Sequence, residues 1–189
     1  MIKTTPCDLL EQLISKAKSS GADSADAMFV ENRSLSVAQR LGKPESIERS
    51  EDKDLGLRVF VGKRNATVST TDMKPESLDK LIDRVVSMAK VAPEDPYARI
   101  ANASEITTSN PKIELFDPSE PSAEKLIERA SLAEESALAV TGVTNSEGCE
   151  AAWSDTTIML ATSNGFKGTY RRSGHSLSAV VLAGEGQNM

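Results

Sequence analysis

Histidine is nearly missing from this sequence: His175 is the only one in 189 residues. Imidazole is the usual general base near neutral pH and a very common metal ligand, so a single copy argues against a histidine-built catalytic or zinc centre. Cysteine is scarce too. Cys7 and Cys149 are far apart and lack a C-x-x-C partner, which favours idle thiols in a reducing compartment and leaves a disulfide open. Aromatic residues amount to four Phe, two Tyr and one Trp, a poor supply for stacking on bases. The charge balance agrees, since 22 Lys and Arg against 28 Asp and Glu give a net −6. An acidic chain lacks the counterion release that drives non-specific nucleic-acid binding, so no direct nucleic-acid partner is expected. No run approaches the roughly 18 apolar residues of a membrane span. The start, Met1-Ile2-Lys3-Thr4-Thr5-Pro6, has no apolar core of a secretory signal. These features predict a cytoplasmic protein without a membrane partner.

What is present suffices for one substantial folded domain. Apolar residues make up 39%, and a chain of this length buries about 70% of the surface its unfolded form exposes. A first helix is signalled by Thr5 as cap, Pro6 at the first helical position, Asp8 in the first turn, and Leu9, Leu10, Leu13, Ile14 and Ala17 at helical spacing, with Gly21 as a left-handed stop. The pattern then turns to period two. Residues 26–33, 34–39, 45–48 and 55–61 read as strands, with turns at Gly42 and at Gly62-Lys63, and residues 66–70 pairing back. A second helix begins near Pro75 with the stripe Leu78, Leu81, Ile82, Val85, Val86 and Ala89.

Residues 92–121 carry five prolines among polar residues and read as a crossing segment. A third helix follows, capped by Ser122, with Leu126, Ile127, Ala130, Ala133 and Ala137 facing inward and Gly142 ending it. Strands return at 148–154, 156–162 and 168–183, and Asn164-Gly165 between the last two predicts a type I′ hairpin turn. Helices do not alternate one-for-one with strands. The expected class is therefore α+β, antiparallel β meanders packed against helices, as a single domain over 1–189 with two helix-plus-meander halves, 1–91 and 122–183, joined by 92–121.

Chemical motifs are weak. Gly56 to Arg64 has five residues between its glycines and Arg after Lys63, where a phosphate loop needs four and Ser or Thr. No G-x-S-x-G elbow accompanies the serines. His175 reads as an exposed or hydrogen-bonded strand histidine. The acidic pairs Glu51-Asp52, Glu94-Asp95 and Glu134-Glu135 read as solvated surface, the last on the polar face of the third helix. Arg171-Arg172 forms a small basic spot able to meet a carboxylate or a partner's acidic surface, though such residues on an edge strand usually serve solubility. No catalytic, cofactor-binding or metal residue is expected, and spacing and chemistry alone describe a binding or interaction domain.

Several stretches resemble the TldD/PmbA family. They are Leu35-Ser-Val through Gly42-Lys-Pro-Glu-Ser-Ile-Glu48, Leu55-Gly-Leu-Arg-Val-Phe-Val-Gly62, Ala92-Pro-Glu-Asp-Pro-Tyr97, Leu160-Ala-Thr-Ser-Asn-Gly-Phe166, Gly168-Thr-Tyr-Arg-Arg172 and Ser176-Leu-Ser178. The pattern is closer to the PmbA (TldE) branch and extends over residues 9–183. The resemblance implies the N-terminal domain of a longer bacterial or archaeal cytoplasmic protein. Such proteins are known as modulators of DNA gyrase and as metallopeptidases. It further implies a TldD-type partner subunit, with which the protein would trim unfolded or extended peptides. The family's zinc ligands, a His-Glu-x-x-x-His motif and a later Cys, belong to the TldD side and have no counterpart here, so zinc is expected in the partner and none in this chain. An isolated chain could also self-associate. The alternative expectation is an interaction module that modulates DNA gyrase without a proteolytic role.

Overall fold

Thr5 and Asp8 open the first helix reciprocally: the Asp8 main-chain N–H donates to Thr5 Oγ1 at 3.2 Å, and the Thr5 N–H donates to Asp8 Oδ2 at 3.0 Å. The structure, a computed structural model, describes residues 5–107 and 113–184. Its elements are α1 (Pro6–Ser19), β1 (Ser24–Arg40), β2 (Lys43–Val61), β3 (Arg64–Thr70), α2 (Pro75–Val91), a short 3₁₀ turn (Ala103–Glu105), α3 (Ala123–Leu138), β4 (Val143–Thr162) and β5 (Lys167–Ala183). The strands form an antiparallel sheet in the order β3-β2-β1-β4-β5, and the class is α+β as the sequence predicts. No described helix is long and apolar enough to cross a membrane.

The chain divides into two compact units, each assembled from three separate stretches. Unit 1 takes Met1–Glu31, Asp52–Ile113 and Thr157–Tyr170; unit 2 takes Asn32–Glu51, Glu114–Thr156 and Arg171–Met189. The sequence halves 1–91 and 122–183 do not map one-to-one onto these units, because β1, β2, β4 and β5 each supply residues to both. In unit 1, Leu10, Leu13, Ile14 and Ala17 of α1 and the whole expected stripe of α2 pack against Ala25, Ala27 and Phe29 of β1 and Leu55, Leu57 and Val59 of β2. The β2–β3 hairpin runs in register from Leu55 opposite Thr70 to Val61 opposite Arg64. In unit 2, Leu126 and Ala130 of α3 pack on Leu35 and Val37 of β1 and on Cys149, Ala151 and Trp153 of β4.

Four expectations need correction. Segments 26–33 and 34–39 are one strand, β1, while 148–154 and 156–162 are both parts of β4. The charged run 48–54 lies inside β2, where it is exposed, so no apolar alternation betrays the strand. The Asn164-Gly165 turn is not type I′. Among described non-glycine residues only Leu41 has positive φ, whereas a type I′ turn needs it at both central positions. Here Gly165 N–H donates to Thr162 O at 3.1 Å and Thr162 N–H to Phe166 O at 3.0 Å, the pattern of a type I turn followed by a left-handed glycine (φ +95°). The Asn164 side chain is held by Thr162 Oγ1 and donates to Ala101 O at 2.7 Å. The type I′ pattern falls instead on Leu41 (φ +50°) and Gly42 (φ +71°), between β1 and β2. Finally, α3 stops at Leu138, and Gly142 (φ +93°) serves the turn into β4 rather than the helix end.

Candidate functional site

Unit 2 contains Glu134, which the sequence places on a solvated helix face and the structure buries to 2% exposure. The reason is its spacing: Leu126, Ala130 and Glu134 follow one another at i+4, so the residue continues the inward row of α3. Its oxygens are fully engaged. Oε1 accepts from Leu41 N–H at 2.9 Å and from Ser146 Oγ at 2.5 Å. Oε2 accepts from Gly42 N–H at 2.9 Å and from Gln39 Nε2 at 3.1 Å. Burial pushes this carboxyl up, but the hydrogen bonds from Ser146, Gly42, Leu41 and Gln39 outweigh it and leave Glu134 below its ordinary range. Glu135, its neighbour, is exposed as expected.

The second buried carboxylate is Asp155, 4% exposed. It continues the inward parity of Cys149, Ala151 and Trp153 along β4. Arg171 donates to it twice, Nε to Oδ1 at 2.7 Å and Nη2 to Oδ2 at 2.6 Å, and Arg33 Nη2 adds a third bond at 2.7 Å. The Arg171 hydrogen bond, opposed by burial and joined by Arg33, brings Asp155 down to about 2. Arg171 also stacks on Phe116 at 3.9 Å, and Arg33 lies over Trp153 at 5.7 Å. Glu120 binds Arg49 at 2.8 Å and approaches Arg33 at 3.5 Å. This network ties residues 116–120 of the crossing segment to the strands of unit 2. Arg171 thus meets a carboxylate within its own chain, the first of the two roles the sequence allows it.

The remaining singled-out residues are dispersed. His175 is exposed on β5, its Nδ1 3.4 Å from Arg129 Nη1. Glu51, Asp52, Glu94 and Asp95 are exposed, with Glu94 paired to Arg64 at 3.0 Å. Cys149 is buried, and burial followed by the charge of Glu134 pushes its thiol up; Cys7 is half-buried, and both are free thiols. Among the described residues no three His, Cys, Asp or Glu side chains gather as a metal ion would require. The donor set does not fit zinc: the only imidazole faces a guanidinium, and both buried carboxylates already have their lone pairs engaged.

Unit 1 contributes a pocket of about 320 Å³ in which Asp26 and Arg58, Leu160 and Phe166, and Ile100 and Ile106 supply the walls. Arg58 donates Nε and Nη2 to Asp26 Oδ2 at 2.9 and 2.7 Å. The segment above is pinned by Arg99, bound through both terminal nitrogens to Glu105 at 2.6 and 2.9 Å. These paired guanidinia leave a mostly apolar concavity with no nucleophile and base in array.

Residues 25–89 match the model of PmbA/TldA metallopeptidase domain 1, and residues 116–189 that of the PmbA/TldA metallopeptidase central domain. The metalloprotease PmbA of Escherichia coli O157:H7 is 30% identical over 185 residues, 96% of this chain and 41% of that protein. The same fold is found in a candidate modulator of DNA gyrase from Bacteroides thetaiotaomicron (TM-score 0.85, 21% identity, 97% of this chain and 43% of that one). TldE from Thermococcus kodakarensis shares it too (TM-score 0.68, 16% identity, 94% and 40%). The chain therefore spans less than half the length of the relatives it matches. With two domains of one family matched in chain order and a PmbA protein aligned over nearly its whole length, this chain belongs to the PmbA/TldD metallopeptidase family.

Proposed function

We propose that this chain is the non-catalytic N-terminal domain of a PmbA/TldE-type subunit, acting in the cytoplasm with a TldD-type partner that holds the zinc. Together they would trim unfolded or extended peptides. The observation that carries this reading is the combination of 30% identity to a metalloprotease PmbA with buried carboxylates committed to structural bonds. The match to domain 1 followed by the central domain supports an N-terminal place in a longer protein. Peptide cleavage is the test: an unfolded fluorogenic peptide is offered to the full-length PmbA-type protein alone, to the TldD-type protein alone, and to both. Cleavage that needs the TldD-type protein and rises with both is expected. Cleavage by the PmbA-type protein alone overturns the reading. The names of the structural neighbours motivate one competitor, binding to DNA gyrase, and a pull-down with gyrase and the TldD-type chain competing separates the two. Capture of gyrase in preference would favour modulation without proteolysis.

A further inference from the structure

Asn164 precedes Gly165 in the turn between β4 and β5, and Asn-Gly is the pair at which an asparagine side chain cyclises most readily. Glycine has no Cβ to hinder its own nitrogen. Cyclisation has fixed requirements. The Gly165 nitrogen gives up its proton and attacks Asn164 Cγ. The N–Cγ bond forms as the Cγ–Nδ2 bond breaks, and Nδ2 leaves as ammonia with that proton. Water then opens the cyclic imide at one of its two carbonyls. One opening gives aspartate; the other gives isoaspartate, in which the main chain runs through the side-chain carbons. In sum, asparagine and water become an acid and ammonia, with no oxidation or reduction.

The structure opposes each part of this reaction. The Gly165 N–H donates to Thr162 O at 3.1 Å, so the attacking nitrogen is occupied. The Asn164 amide is held at both ends: Oδ1 accepts the Thr162 hydroxyl, and Nδ2 donates to Ala101 O at 2.7 Å. A carbonyl oxygen only accepts, so this second contact requires the amide nitrogen. The turn is itself fastened to β1, with Ser163 N–H donating to Ala25 O at 2.8 Å and Ala25 N–H to Ser163 Oγ at 3.1 Å. Across the joint the Ala101 loop is braced from within, since Glu105 accepts from Arg99 and from the Asn102 N–H at 2.6 Å. Asn164 thus joins two braced pieces of unit 1. We propose that Asn164 is a deamidation site held in check by this joint, and that its conversion releases the Ala101 loop in one direction only. The acid carries an oxygen where Nδ2 stood, and an ionised oxygen facing the Ala101 carbonyl repels it. Isoaspartate also lengthens the chain inside the turn that Thr162 and Phe166 close. Release parts Ile100 and Ile106 from Leu160 and Phe166, the opposite walls of the 320 Å³ concavity.

The test follows amide-to-acid conversion by peptide mass mapping of the 189-residue chain, aged in mildly alkaline buffer either folded or unfolded in urea. The tryptic peptide 130–167 also holds Asn145, so fragmentation places the change at one asparagine or the other. Conversion at Asn164 should be at least about tenfold slower in the folded chain, because it must wait for local opening. Thr162→Val, which removes the hydroxyl on Oδ1, should speed conversion in the folded chain and leave the unfolded rate unchanged. Asn164→Asp supplies the product directly. Trypsin should cut this variant after Arg99 roughly threefold faster or more than the parent chain, since cleavage tracks the population of the open loop. Circular dichroism checks that both variants keep the fold. Equal folded and unfolded rates at Asn164 overturn the protection, whatever the variants do. Cleavage after Arg99 at the parent rate in Asn164→Asp overturns the release.

Discussion

The Glu134 carboxylate accepts the main-chain N–H of Leu41 at 2.9 Å, so a helix side chain holds a strand turn in a backbone state that costs a non-glycine residue about 1–2 kcal/mol. The same group also takes the Gly42 N–H, the Ser146 hydroxyl and the Gln39 amide. Glu134→Ala leaves these donors facing a cavity and should destabilise the chain by about 3 kcal/mol, read as a lower midpoint in urea denaturation. Glu134→Gln, which keeps the shape and one acceptor, should cost less. Equal losses in the two variants would show that the charge and its second oxygen contribute nothing.

Leu41 itself is 54% exposed, so its side chain contributes little packing. Leu41→Gly should relieve the left-handed strain against a modest gain in unfolded-chain entropy, leaving the protein unchanged or up to about 1 kcal/mol more stable. A clear destabilisation in thermal melts would refute the strain.

Asp155 contributes to the acid limb of stability. Its folded pKa, about 2, lies below its ordinary value near 3.8. A depressed carboxyl stabilises the fold fully above its unfolded pKa, and this contribution fades as pH falls from about 5 towards 2. Its size is ~2 kcal/mol at most, because Arg33 and Arg171 remain partly exposed to solvent. Asp155→Asn should be less stable at pH 7 and show a flatter stability profile between pH 5 and 2. An unchanged profile would sink the assignment.

Burial predicts a contrast within unit 1. Leu57 is fully buried between strand and helices, so Leu57→Ala should cost about 2–5 kcal/mol, whereas Val91→Ala, at a position 84% exposed, should stay within about 0.5 kcal/mol. Calorimetry on both variants decides this.

Zinc removal gives a further check. With no gathered ligand set among the described residues, a chelator should leave the melting temperature of this chain unchanged while abolishing cleavage by the two-subunit system. A drop of several degrees in the isolated chain would contradict this.

The helices were legible because their apolar rows are long and their ends are marked by Thr5, Pro6, Pro75 and Ser122. The extent of β2 was not, since residues 43–54 are exposed and carry no period to read. Glu134 was hidden by residue type. Its place in the row of Leu126 and Ala130 points inward, yet an acidic residue is ordinarily solvated, and its partners at Leu41 and Ser146 come from distant segments. Asp155 shows the same limit, following the inward parity of β4 but completed by Arg33 and Arg171 from two other strands. Asn164-Gly165 misled in the opposite direction, because Ala101, 63 residues away, captures the asparagine amide and a different turn results.

The interleaving of the two units sets a timetable for synthesis. Unit 1 takes its first stretch from residues up to Glu31 and its last from Thr157–Tyr170, while unit 2 begins at Asn32 and needs residues from Arg171 onward. At about 5–20 residues per second, the ribosome separates Asn32 from Thr156 by roughly 6–25 seconds. During that interval β1 is outside the ribosome without β4, its neighbour in the finished sheet. Neither unit has all of its residues until β4 and the start of β5 have been made. Unit 1 therefore lacks its last stretch until residue 170 has been added, and unit 2 needs residues beyond it.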